Sequence, residues 1–283
     1  MSQPPFEPLG MPPGTSEPEE VGQALPPANS EPPSAPLPDG RGSEGGRGSE
    51  PRDPFWGYSD LAVFLGLLIA SALAGLGLVT VIFAVFPIHL QAKVAEALIA
   101  QCLIYLLAYG ALALMFRVQY DRPFWRSLGW TSFELPGLVV AGCGVVTAVV
   151  VAFIGALIRT PTTANRITEM LDDPKSLALI AIFGLTLAPL AEELGFRGFL
   201  QPLLVRSLGP TQGILAAAVP FGLLHFPEYG NSWRHALLIT LAGAAFGWMR
   251  YRTGSTRAST LMHASYNALE FVAYFAQPKE MHR

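Results

Sequence analysis

Long apolar runs separated by short polar segments divide the chain from residue 61 onward. There are seven such runs: Leu61 to Pro87, Val94 to Phe116, Leu135 to Ile158, Leu177 to Leu200, Gln212 to Phe226, His235 to Trp248 and Ser259 to Phe275. A helix needs about 20 apolar residues to cross a bilayer. The first four runs meet that length, whereas the fifth and sixth are short. The pattern predicts an all-α fold, a multi-pass transmembrane bundle of about seven helices.

The first 53 residues follow a different pattern, rich in Pro, Gly, Ser and Glu and nearly free of aromatic side chains. Such a segment cannot bury enough apolar surface to offset the ordering of its backbone. We therefore predict a disordered tail at 1–53, N-terminal transmembrane helices at 54–160 and a second group of helices at 177–275.

Composition agrees with a protein that lies in a lipid bilayer. The chain is 51% hydrophobic and 14% charged, whereas soluble domains average about 25% charged residues. No basic cluster in the sequence is dense enough to follow a phosphate backbone, which excludes nucleic acid as a partner. All five tryptophans lie at or just outside span ends, as an interfacial aromatic belt requires: Trp56, Trp125, Trp130, Trp233 and Trp248.

Arginines at the span ends indicate an orientation. With seven spans, one side of the membrane holds the tail and two arginine clusters, 117–126 and 250–257. Because cytoplasmic loops are enriched in Lys and Arg, we expect a cytoplasmic N-terminal tail, and we expect the protein in the plasma membrane.

Three polar motifs interrupt the last apolar runs. They are Glu192-Glu193-x-x-x-Arg197, Phe221-x-x-x-His225 and His263-x-x-x-Asn267. A charge near the centre of a membrane helix costs about 2.5 to 3.5 kcal/mol, so such residues face a polar interior and pair with one another. The motifs therefore indicate a functional site.

Helical geometry separates the two adjacent glutamates. At about 100° per residue, Glu193 and Arg197 lie about 40° apart around the helix, whereas Glu192 and Arg197 lie about 140° apart. We predict that Glu193 pairs with Arg197, which leaves the Glu192 carboxylate available as a general base.

The three motifs, in this order on three helices, resemble those of the CAAX prenyl endopeptidase and bacteriocin-processing (CPBP, or Abi) family of intramembrane proteases, the type II CAAX proteases. The resemblance implies an endopeptidase that hydrolyses a peptide bond in a membrane-embedded cavity formed by the helices at 177–275. It implies that Glu192 and His225 activate water, that His263 and Asn267 stabilise the oxyanion, and that Glu193 and Arg197 hold the site together. Phe221 is interpreted as packing support. The implied partner is a peptide or protein substrate, either prenylated or otherwise membrane-anchored.

The need for a metal stays open at this point. Glu192, His225 and His263 would be the ligands of a Zn²⁺ ion, but they come from three helices without a compact H-E-x-x-H pair. We therefore favour a mechanism that does not require a metal. Two further hypotheses are a proton-coupled transporter, for which intramembrane Glu and His are also typical, and a non-catalytic immunity or scaffold protein.

One feature conflicts with this interpretation. If every helix were straight, Glu192 and His263 would lie in the cytoplasmic half of the membrane, while His225 would lie near the opposite face. The fifth helix must therefore bend, tilt or start elsewhere, and Pro220 and Gly222 are candidate break points.

Overall fold

A computed structural model of the chain describes residues 54–86, 92–161 and 174–276, and these ranges fold into helices joined by turns, without a strand. The tail predicted at 1–53 lies outside the described residues, as does Pro87 at the end of the first predicted span.

Each predicted apolar run corresponds to a helical region, so the all-α prediction is confirmed. In chain order, the helices are α1 (Tyr58–Val85), α2 (Ala92–Tyr120), α3 (Phe124–Ser127), α4 (Gly137–Leu157), α5 (Pro174–Leu185), α6 (Leu187–Glu193), a π-helical segment (Leu194–Leu200), α7 (Gln201–Leu208), α8 (Pro210–Leu224), α9 (Trp233–Thr253) and α10 (Thr256–Ala276).

Four helical stretches in the described ranges are long and apolar enough to cross a membrane: Tyr58–Val85, Val94–Tyr120, Gly137–Leu157 and Lys175–Leu208. Their outer faces carry large apolar side chains, for example Leu73, Leu106 and Leu138, which are 70%, 70% and 86% exposed. Contiguous apolar surface of this kind needs a non-aqueous environment. The chain is therefore a membrane protein.

The remaining helices carry the polar motifs. Helix α8 is a shorter apolar helix of 15 residues, while α9 and α10 have 21 residues each and more polar side chains. Small residues bring these helices close together. A Cβ atom at Gly144 of α4 would lie 2.2 Å from the Met262 carbonyl oxygen of α10, and one at Gly222 of α8 would lie 2.5 Å from the Ala236 carbonyl oxygen of α9. Close backbone approach through small residues is typical of helix packing in membranes.

An aromatic cluster fixes α1 and α2 against the π-helical segment. Trp56 is 1% exposed, stacks between Phe116 and Phe199, and donates its indole N–H to the Phe199 carbonyl oxygen at 3.1 Å. The predicted aromatic belt is therefore wrong for Trp56, because its ring fills a gap between helices that hydropathy does not reveal. By contrast, Trp125, Trp233 and Trp248 are exposed, as a belt requires.

The fourth predicted span, Leu177 to Leu200, is not one regular helix. It breaks at Thr186, between α5 and α6, and passes into the π-helical segment directly after Glu193. Single π turns inside helices often occur at functional sites. The irregular stretch coincides with the first polar motif.

Candidate active site

The centre of the site is a buried ion pair within the first motif. The Glu193 and Arg197 side chains are 0% and 1% exposed, and the Oε1 and Nη1 atoms lie 3.1 Å apart. The ion pair expected from the four-residue spacing is therefore present. Because both charges are removed from solvent, each needs the other to remain ionised.

The Arg197 guanidinium is also bound from two other helices. Its Nη2 donates to the Gly243 carbonyl oxygen of α9 at 2.8 Å, and the group lies 4.3 Å from the centre of the Phe221 ring of α8. A Cβ atom at Gly243 would lie 3.0 Å from Nη2 and 2.8 Å from the Phe221 ring. The absence of a side chain at Gly243 thus allows the arginine to reach the α9 backbone.

His263 of α10 links the two glutamates. Its Nδ1 lies 3.1 Å from Glu193 Oε1, and its Nε2 lies 3.8 Å from Glu192 Oε2. The ring is buried and stacks on Phe246, with 4.5 Å between ring centres. A carboxylate partner on Nδ1 indicates that this nitrogen carries a proton. The Nε2 atom is then directed toward Glu192.

Glu192 has different surroundings from its neighbour. Its side chain is 23% exposed, against 0% for Glu193. It lies within electrostatic range of Tyr105 and Tyr109 of α2. Glu192 is therefore the more accessible carboxylate of the two.

His225 forms the C-terminal end of α8, one turn after Phe221. Its Nδ1 lies 2.8 Å from the Phe221 carbonyl oxygen, which leaves Nε2 free of that contact. The Phe221 ring lies 5.0 Å from the His225 ring and 5.9 Å from the His263 ring. Phe221 thus stands between the two histidines, and the described residues show no hydrogen bond or ion pair that joins His225 to Glu192 or His263.

The length of α8 explains how His225 comes to lie near Phe221 and the buried ion pair. At about 1.5 Å per residue, a helix of 15 residues is shorter than the roughly 30 Å hydrocarbon core. Helix α8 continues through Pro220 and Gly222 to Leu224, so of the alternatives considered from the sequence, a break at these residues is wrong. Its C-terminal end lies beside Phe221 and the buried ion pair, and not at a remote face.

Asn267 lies one turn beyond His263 but faces another helix. Its side-chain amide donates to the Gly184 carbonyl oxygen of α5 at 2.8 Å. This hydrogen bond ties α10 to the end of α5, two residues before the break at Thr186. The structure therefore assigns Asn267 a bridging contact, and one amide N–H of the group is left over.

The donor set for a metal is incomplete. A catalytic zinc ion takes three protein ligands and a water molecule. Within the described residues, no group of three or more His, Cys, Asp or Glu side chains is arranged to hold a metal ion, and the described contacts bring Glu192 and His263 together without His225. The residues present do not fit a zinc centre built from Glu192, His225 and His263, and we derive no step through a metal.

Several neighbours of the site were not identified from the sequence. Glu228 follows His225 in the turn after α8, where its N–H donates to the His225 carbonyl oxygen at 3.1 Å. Burial raises the pKa of its carboxyl group, and the nearby His225 opposes that shift.

Gln201 follows Glu193 and Arg197 at the same spacing of four residues, and this spacing could have identified it from the sequence. Its side-chain amide donates to the Gly247 carbonyl oxygen at 2.9 Å. Tyr105 and Tyr109 also have a spacing of four, but they lie in an apolar run without a motif.

Comparison with known proteins finds a family model that matches the part of the chain carrying these residues. A family model described as type II CAAX prenyl endopeptidase Rce1-like matches residues 174–269, which include all three motifs. The chain thus carries a domain of the Rce1-like type over about a third of its length, and the resemblance seen in the motifs is confirmed there. No curated protein and no solved structure matches the chain. The match supports a membrane peptidase of the CAAX protease type.

Proposed function

We propose that the chain is an intramembrane endopeptidase that uses Glu192 to activate a water molecule. The observation that carries this proposal is the asymmetric pair of glutamates around His263. Glu193 is fully buried and bound by Arg197 and His263, whereas Glu192 is partly exposed and faces Nε2 of the same ring. One carboxylate holds the histidine, and the other is free to react.

The proposed reaction is a general base hydrolysis. Glu192, assisted by His225, takes a proton from water, and the water oxygen attacks the scissile carbonyl carbon. His263 donates to the oxyanion that forms, together with the remaining N–H of Asn267. For this role the His263 ring carries protons on both nitrogens, with Nδ1–H kept on Glu193 and Nε2–H directed into the site. Glu192 then passes its proton to the leaving amine, and the tetrahedral species collapses to an acid and an amine.

The substrate is a peptide segment that enters from the membrane, prenylated or anchored in another way. We further propose that the N-terminal tail is cytoplasmic and that the protein resides in the plasma membrane. The support for this orientation is the pair of arginine clusters at 117–126 and 250–257.

The test is peptide cleavage by purified protein in lipid vesicles, read by mass spectrometry. Matched peptides with and without a prenylated cysteine identify the substrate class. We expect Glu192→Gln to lower turnover roughly 100- to 10,000-fold, the usual contribution of a general base. We expect Glu134→Gln, at an exposed carboxylate between α3 and α4, to behave like wild type. Chelation should leave wild-type turnover unchanged.

Three outcomes contradict the proposal or its mechanism. Turnover by Glu192→Gln at the wild-type rate would mean that Glu192 is not the base. An absence of cleavage in wild type over the whole peptide set would favour a transporter or a non-catalytic protein. Loss of activity on chelation, restored by added zinc, would establish the metal-dependent alternative.

A further inference from the structure

The polar groups around the site include a tyrosine from outside the matched domain. Tyr109 lies in the middle of α2, whereas the family match begins at residue 174. Its ring packs near Phe64 of α1 and Phe124 of α3, with ring centres 6.1 Å and 6.2 Å away. Contacts among three N-terminal helices therefore hold the Tyr109 ring, and its hydroxyl group extends from there to the site.

The hydroxyl of Tyr109 meets the main chain at the start of the π-helical segment. It donates a hydrogen bond to the Ala191 carbonyl oxygen, and the backbone of Gly195 lies against the same phenolic oxygen. A Cβ atom at Gly195 would lie 2.8 Å from that oxygen. Only glycine at residue 195 lets the hydroxyl come this close.

Ala191 and Gly195 are the two residues whose carbonyl and amide groups would bond directly in a regular α-helix. The Tyr109 hydroxyl binds the carbonyl member of this pair, and side-chain groups that bind into this ladder are a known cause of helix irregularity. The helix passes from α to π geometry next to this contact, between Glu193 and Leu194. The hydrogen bond from Tyr109 and the irregularity thus coincide in position.

Glu192 follows Ala191 directly in the chain. The residues after the transition are held by other contacts: Arg197 by Gly243 and Phe199 by Trp56. If the ladder closed to regular α geometry, the turn that carries Glu192 would have to rotate against these fixed residues. The distance between the Glu192 carboxylate and His263 Nε2 would then change.

We propose that Tyr109 is a positioning residue, which sets the direction of the Glu192 carboxylate by holding the carbonyl group of Ala191, the residue before it. The effect of Tyr109 on catalysis rests on the proposed function, whereas its effect on the geometry of the helix does not. It also means that the N-terminal helices complete a site whose motifs all lie in the C-terminal domain.

The first test compares Tyr109→Phe with Tyr120→Phe. Tyr120 lies on the same helix and donates to the Asp60 carboxylate at 2.9 Å, so its replacement removes a comparable hydrogen bond away from the site. We expect Tyr109→Phe to lower kcat roughly 10- to 100-fold, as loss of an orienting contact does, with KM unchanged. Tyr120→Phe should keep the wild-type kcat.

The second test measures geometry without activity. The thiol of a Glu192→Cys variant is labelled with a maleimide in vesicles, with Tyr109 intact and with Tyr109→Phe added. We expect a several-fold change in labelling rate with Tyr109→Phe and none with Tyr120→Phe. Gly195→Ala, which displaces the hydroxyl, should change the rate in the same direction, and the Gly195→Ala and Tyr109→Phe effects should not add.

Equal labelling rates with and without Tyr109→Phe would overturn the inference, whatever happens to kcat. A changed labelling rate with an unchanged kcat would also overturn the role in catalysis. If wild-type protein cleaves no peptide, the proposed function fails, and the labelling result alone decides whether Tyr109 sets the direction of residue 192.

Discussion

The candidate site has an inner half, formed by Glu193, Arg197 and Phe221, and an outer half, formed by Glu192 and His225. The inner residues are at most 2% exposed. The described contacts of the inner half include an ion pair, a backbone carbonyl and an aromatic face. In the outer half, Glu192 is 23% exposed, and the ion-pair contact that the described residues give it is the longer one to His263, at 3.8 Å.

This difference shows how a membrane protein keeps two carboxylates side by side for different purposes. A buried ion pair is costly to break by removal of one partner, because the other charge is then left without compensation. A charge with few contacts contributes little to stability and is available for chemistry. The following predictions test this division, and each is measured as the free energy of unfolding in detergent micelles.

The largest expected effect is loss of one member of the inner pair. Glu193→Ala or Arg197→Ala leaves the partner charge buried without compensation, which commonly costs about 3 to 5 kcal/mol. The double variant should be less destabilised than the sum of the two single variants, because each single change breaks the same interaction. Strict additivity in denaturation experiments would show that the pair does not act as a unit.

A smaller effect is expected where the inner half meets the α9 backbone. Gly243→Ala places a Cβ atom 2.8 Å from the Phe221 ring, and overpacking of this kind costs about 1 to 3 kcal/mol. Gly142→Ala in α4 is the control, because a Cβ atom there meets nothing within 4 Å. Equal unfolding midpoints for the two variants would contradict the close packing at Gly243.

The bridging contact of Asn267 should contribute less. Asn267→Ala removes the hydrogen bond to the Gly184 carbonyl oxygen, and a typical intramolecular hydrogen bond contributes about 0.5 to 1.5 kcal/mol. Denaturant titration would detect a loss in this range. An unchanged stability would contradict a contribution of this hydrogen bond to the packing of α10 against α5.

The smallest expected effect belongs to the outer half. Glu192→Gln should change the free energy of unfolding by no more than about 0.5 kcal/mol, as substitutions away from buried networks usually do, despite the loss of turnover predicted above. Thermal melts of Glu192→Gln and Glu193→Gln side by side would measure the contrast. If Glu192→Gln is the more destabilised protein, the structural and catalytic glutamates have been assigned the wrong way round.

The contacts that could be predicted are those that depend on spacing along one helix. The hydropathy pattern located the helices, and the interval of four residues gave the contact between Glu193 and Arg197. The contact between Glu193 and His263 spans 70 residues, and the indole of Trp56 reaches a carbonyl 143 residues away. Such contacts depend on how helices pack against one another, which local periodicity does not contain.

The irregular features were missed for a related reason. The break at Thr186 and the π-helical segment occur in a run whose side chains are almost all apolar, and apolar side chains give no sign of a change in backbone hydrogen bonding. The shortness of α8 could be predicted from its apolar run, but its position beside the site could not, because hydropathy does not show where a helix lies. A hydroxyl from α2 and a carbonyl from α9 contact the irregular stretch around the first motif, and both lie far away in the sequence.

The order of synthesis gives the ion pair of Glu193 and Arg197 an additional consequence. Arg197 enters the membrane before the chain has made Gly243, 46 residues later, and Glu193 enters before His263 exists. Each charge would meet hydrocarbon alone if it depended on those later helices. Because the two partners are four residues apart on the same segment, they neutralise each other as soon as that segment becomes helical. The nascent chain thus brings its own counterion into the bilayer. The later helices add contacts to this ion pair and do not replace either partner.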